Sequence, residues 1–97
     1  AAKVPLLKED ASLAQQGHVT GASHRNWASY KDHVALPAGM PDWQRHLLSD
    51  PQTSGGLLVS CTAARAEEIA QSIRAAGYPA TAIIGRTSTG TPGITVV

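Results

Sequence analysis

Across residues 63–76, Ala66, Ile69, Ala70 and Ile73 recur at helical spacing while Arg65, Glu67, Glu68, Gln71 and Arg74 take the opposite side, which predicts an amphipathic helix. Thr62 suits its N-cap and Gly77 the position just past its end. The apolar run 57–61, bounded by Gly55-Gly56 and Thr62, predicts a buried strand with Cys61 as a small packing residue at its end. Residues 80–84 and 94–97 predict two more strands, separated by a Gly- and Thr-rich loop over 85–93.

The first half is less regular. Residues 8–16 favour a short helix with Leu13 and Ala14 as apolar contacts and Gly17 after its end. Ser23 fits the N-cap of a turn or short helix running to Tyr30, with Trp27 and Tyr30 on one face. Val34 and Leu36 belong to a brief extended piece that Pro37 ends. Pro41 suits the first turn of a helix to Leu48, where Trp43 and Leu47 share a face, and Pro51 requires that helix to have stopped. Strand, helix, strand, strand in the second half implies an α+β layer.

Composition narrows the function classes. Ninety-seven residues, 42% of them hydrophobic, suffice for one small domain burying roughly two-thirds of its unfolded surface. With no Phe and only 4% aromatics, its core rests on Ala, Val, Leu and Ile. A net charge of +1 with scattered Lys and Arg gives no basic stripe, so neither nucleic acid nor a membrane surface is expected as a partner. Cys61 is the one cysteine, and His18, His24, His33 and His46 follow no zinc-ligand spacing. A reducing, cytoplasmic setting is expected. The chain begins at Ala1 without Met, and a longer parent is expected.

Two segments could carry chemistry. Thr53, Ser54, Gly55 and Gly56 combine two hydroxyls with backbone free of side chains, able to turn N–H groups toward an anion. Because a strand rather than a helix is expected to follow, and no Lys, this is not a phosphate-binding P-loop. A turn begun by Asp50-Pro51, with the glycines allowing an unusual entry to the strand, accounts for it as well. At the second segment, Ser23, Arg25 and Asn26 lie where a helix N-terminus would expose N–H groups beside a guanidinium. A plain cap plus a solvated Arg25 is the alternative. The histidines assemble no hydrolase triad, and Asp42 with Asp50 make weak evidence for a magnesium site. No catalytic residue and no metal ligand is assigned.

The heptapeptide Asp50-Pro51-Gln52-Thr53-Ser54-Gly55-Gly56 is too specific for turn chemistry alone. Together with the block from Gly21 to Tyr30 and with Ile83-Ile84-Gly85-Arg86, it resembles the C-terminal half of the selenophosphate synthetases, also called selenide, water dikinases. The resemblance runs from about Gly17 to Val97, and the chain has Ala22 where many members carry Gly. It implies a single domain over residues 1–97, the C-terminal part of a larger synthetase. The implied fold is a mixed sheet with helices packed on one face, like the C-terminal domain of aminoimidazole ribonucleotide synthetase, with part of the sheet missing. It also implies an intact parent, expected to be a homodimer, that makes selenophosphate from selenide, ATP and water, using Mg2+ and releasing AMP and phosphate.

The family's reactive Cys or selenocysteine, its neighbouring Lys and its metal-binding Asp residues would all lie upstream of this stretch. The stretch itself is then expected to bind no cofactor and to be inactive alone. Its expected role is to wall the active-site groove through Thr53, Ser54, Gly55, Gly56, Ser23, Arg25 and Asn26, partnered by the N-terminal nucleotide-binding domain of the same enzyme. The alternative is an independent small interaction or scaffolding domain.

Overall fold

The computed structural model describes all 97 residues. In chain order it has α1 (Asp10–Gln15), α2 (Gly21–Tyr30), a single 3₁₀ turn (Lys31–His33), β1 (Val34–Ala35), α3 (Asp42–Leu48), a second 3₁₀ turn (Ala63–Arg65), α4 (Ala66–Ala75) and β2 (Ile94–Thr95). The fold class is mixed α+β: four helices and one two-stranded parallel sheet in which Val34 pairs with Ile94 and Ala35 with Thr95. The chain divides into two compact units, one of residues 1–5 and 57–90, the other of residues 6–56 and 91–97. No helix is long and apolar enough to cross a membrane.

In the second of these units, α1 and α2 both pack on α3. Helix α1 ends as the glycine signal indicates, with Gly17 at φ +87°, a conformation that Gly adopts without a Cβ penalty. Its inward residue is Ala14, 4% exposed, while Leu13 stands largely in solvent; one turn and a half of helix presents too narrow a face for both. The N-cap of α2 lies three residues earlier than Ser23. Thr20 is its N-cap, extended at ψ 146°, and its hydroxyl accepts the Ser23 N–H at 3.1 Å, so Ser23 lies inside the first turn with its side chain turned inward. Pro41 likewise precedes α3 rather than opening it. Trp27 and Tyr30 do share a face, their rings edge-to-face at 6.1 Å.

The unit containing α4 keeps the predicted stripe: Ala70 is buried, and Ala66, Ile69 and Ile73 are half-buried. Gly77 closes the helix at φ +105°. The Arg74 guanidinium donates to the Thr81 carbonyl at 2.9 Å and pairs with Glu67 at 3.1 Å, which ties the segment after the helix back onto it. Two predicted strands of this unit do not form. Residues 57–61 make no backbone hydrogen bond, with Leu57 96% and Leu58 83% exposed, and Cys61 is an exposed free thiol rather than a packed one. Residues 80–84 are irregular as well. An apolar run becomes a strand only when a neighbour takes up its alternate N–H and C=O groups, and neither run is paired with another extended segment: the bonds at Thr81 go to Tyr78 and to the Arg74 side chain.

Candidate functional site

The two segments singled out from the sequence meet at their roots, across the junction of α2 and α3. Thr20 Oγ1, besides capping α2, donates to Asp50 Oδ1 at 2.8 Å, and Asn26 Nδ2 donates to the Ser49 carbonyl at 2.9 Å. The start of the Asp50-to-Gly56 loop is therefore bonded to both ends of the first turns of α2. Ser49 is itself buried, its hydroxyl turned back to the Arg45 carbonyl at 2.9 Å, as expected where a short polar side chain closes a helix end.

Beneath that junction lies a polar cluster that sequence reasoning left without a role. Ser23, 1% exposed, donates its one hydroxyl proton to the Thr20 carbonyl at 2.8 Å, so its 3.0 Å contact with His46 Nδ1 requires the ring to donate. His46 Nε2 is then the unprotonated nitrogen and accepts from Arg45 Nη2 at 3.4 Å. The ring also stacks obliquely against His24, centroids 4.2 Å apart. Burial, with the neighbouring His24 and Arg45 side chains, holds His46 below the ordinary imidazole range, and Asp42 opposes them. Arg45 lies 5.4 Å from the centre of the Trp27 ring and pairs with Asp42 at 3.3 Å, while its buried Nε finds no acceptor. The helical period held the clue. His46 and Leu47 stand three and four residues after Trp43, on the inward face of α3.

Above the junction the loop is open. Thr53, Ser54, Gly55 and Gly56 are all exposed, and neither hydroxyl is bonded to another group of the chain. The two glycines differ: a Cβ at Gly55 would fall 2.6 Å from the Gln52 Cβ, whereas one at Gly56 would meet nothing. Neither has a positive φ, so the loop needs Gly55 for space and Gly56 for no reason of backbone geometry. Arg25 is exposed and folds back over the start of α2, its Nη1 3.7 Å from where a Gly21 Cβ would stand. It forms no ion pair. Ala22, in the α2 backbone, has no positive φ either.

The structure thus sorts the expected site residues by position. Thr53, Ser54, Gly55, Gly56 and Arg25 face solvent, while Ser23 and Asn26 are engaged in holding α2 on α3. The residues present do not make a magnesium site. Asp42 is paired with Arg45, Asp50 accepts from Thr20, and no three His, Cys, Asp or Glu side chains converge. No chemical step is routed through a metal held by this chain.

Known proteins resolve the sequence blocks. Over 94 residues the chain is 51% identical to a selenide, water dikinase of Rhizobium meliloti (strain 1021), an alignment covering 97% of this chain and 27% of that protein. With the selenide, water dikinase of Pseudomonas straminea the identity is 50% over 95 residues, and with that of Paraburkholderia xenovorans (strain LB400) 44% over 96, again covering 27% of each relative. The chain belongs to the selenide, water dikinase family. It spans 27% of the length of these curated relatives. No family model matches it, and no solved structure matches at a significant level.

Proposed function

We propose that this chain is the C-terminal domain of an enzyme that makes selenophosphate from selenide, ATP and water, releasing AMP and phosphate, and that it walls the active-site groove without catalysing the reaction alone. The observation that carries this reading is the 51% identity to a selenide, water dikinase across 97% of the chain. Phosphoryl transfer relies on metal ions and positioned charges to stabilise its transition state, and in this reading those come from the remainder of the enzyme. The family's C-terminal fold, a mixed sheet with helices on one face, belongs to the same proposal, as do a nucleotide-binding partner domain in the same polypeptide and a homodimeric parent.

Within that reading, the free hydroxyls of Thr53 and Ser54 and the unpaired guanidinium of Arg25 face the groove and order the reacting complex. Ser23 and Asn26 act behind them by fixing α2 on α3. Two experiments test the proposal. The enzyme at full natural length, given selenide and magnesium-ATP, is expected to yield selenophosphate, AMP and phosphate by phosphorus NMR, and the double variant Thr53→Ala, Ser54→Ala to yield it more slowly at an unchanged melting temperature. The 97-residue chain alone is expected to show no stoichiometric nucleotide binding by calorimetry. Tight binding by the isolated chain, or undiminished turnover of the double variant at limiting selenide and ATP, would overturn the assigned role.

A further inference from the structure

Helices α2 and α3 meet at one imidazole, that of His46, and the groups that touch it favour the neutral form. The Ser23 hydroxyl proton is committed to the Thr20 carbonyl, so His46 Nδ1 carries the ring's proton, and Nε2 offers a lone pair toward Arg45 Nη2 at 3.4 Å. A second proton on Nε2 would aim an N–H at a guanidinium that has only N–H groups to present. It would also place a cation beside Arg45 and against His24, whose ring centre is 4.2 Å away. The one carboxylate of α3 near the ring is Asp42, already paired with Arg45. Helix α1, packed on α3, carries only Asp10, whose carboxylate accepts the Leu7 N–H at 3.1 Å. From α2 the ring meets His24 and Ser23, and Asp50 is reached only through Thr20. No free anion waits to receive an imidazolium.

We propose that the α2–α3 junction is an acid-released clasp: a proton on His46 Nε2 turns its contact with Arg45 into a repulsion that drives the ring out of the junction and so away from Ser23, separates the first turns of α2 from the end of α3, and unties the loop that begins at Asp50. The mechanical link is on the same few atoms. Ser23 sits in the turn capped by Thr20, Thr20 holds Asp50, and Asn26 holds the Ser49 carbonyl, so losing the central contact loosens both ties to the loop root. The direction agrees with the lowered proton affinity that burial, His24 and Arg45 impose on this ring.

Hydrogen exchange on the enzyme at full natural length tests the clasp, with rates corrected for the intrinsic pH dependence of exchange. Protection of α2 and of the end of α3 is expected to fall by about tenfold or more between pH 7 and pH 5, with α4 unchanged. In His46→Asn, whose amide can still donate to Ser23 but does not titrate, protection in those segments is expected to stay level. An equal fall in the variant, or no fall in the native enzyme, would overturn the proposal. Nitrogen-15 spectra of the native enzyme decide the matter even where the variant does not fold: they are expected to show His46 as the Nδ1–H tautomer at neutral pH, with the loss of α2 protection following its titration. An Nε2–H ring, or a ring already charged at pH 7, would refute the clasp.

Discussion

Thr20 donates its hydroxyl proton to Asp50 at 2.8 Å while accepting the Ser23 N–H at 3.1 Å, so one side chain both starts α2 and anchors the loop after α3. Thr20→Ala is expected to lower stability by about 1–2 kcal/mol, the range for losing a helix cap, and Thr20→Ser to cost little. Crossing Thr20→Ala with Asp50→Ala in a double-mutant cycle is expected to reveal a coupling of roughly 0.5 kcal/mol, modest because the bond is exposed. Additive effects in urea titrations would show that the cap and the tie act separately.

The paired glycines of the loop are expected to respond unequally. Gly55→Ala puts a methyl 2.6 Å from the Gln52 Cβ, which cannot swing aside like a side-chain tip, whereas Gly56→Ala adds its methyl in open space. On the proposed function, selenophosphate formation by the protein at full natural length is expected to fall in the first variant and to persist in the second. Equal losses would mean that Gly56 is required for close approach by something outside this chain.

On α4, Ile73→Ala is expected to cost about 1–2 kcal/mol, around half the figure for a fully buried isoleucine, since the side chain is half-buried. Gln71→Ala, on the exposed face, is expected to stay within about 0.5 kcal/mol of the native protein. Chemical denaturation followed by circular dichroism compares them. A larger loss for Gln71 would place the packed face on the wrong side.

Stability is expected to decline on the acid side of neutrality. His46 is held below its ordinary value of 6.5 in the folded chain, so as pH drops through that value the unfolded chain takes up a proton that the folded one refuses. Stability present above about pH 6.5 is then lost progressively until the folded ring titrates as well, and levels off below that point. Urea midpoints measured from pH 8 to pH 5 follow this, and His46→Asn is expected to flatten the slope. A slope of opposite sign would mean that the folded state favours the imidazolium.

The features readable from the sequence were those set by local chemistry. Gly17 and Gly77 end α1 and α4 because a positive φ is a property of the residue itself, and the stripe of Ala66, Ile69, Ala70 and Ile73 follows from the helical repeat alone. The start of α2 was misplaced because Ser23 and Thr20 are both competent caps, and Gly21-Ala22 reads as loop until Thr20 is seen to hold it. Strands were the weak point: residues 57–61 and 80–84 have a suitable pattern yet lack a partner, while Val34 finds its partner in Ile94, a pairing that no local window contains. The exposed half of the candidate site was visible as the loop of Thr53 to Gly56. Its supporting half was not, since in the sequence His46 matches no triad or metal-ligand spacing, and only the fold brings Ser23, Arg45 and His24 around it.

The open run of residues 57–61 also sets how the polypeptide must be handled. Between Asp50 and Arg65 there is no charged residue, and the stretch offers bare Leu57, Leu58 and Val59 with every backbone group free, a template on which like segments can stack into cross-β. Asp50 and Arg65 serve as gatekeepers at its ends, and Pro51 with Gly55-Gly56 keeps the sticky portion short. The isolated chain is therefore expected to associate more as its concentration rises, and a single charge placed at Leu58 is expected to reduce that association.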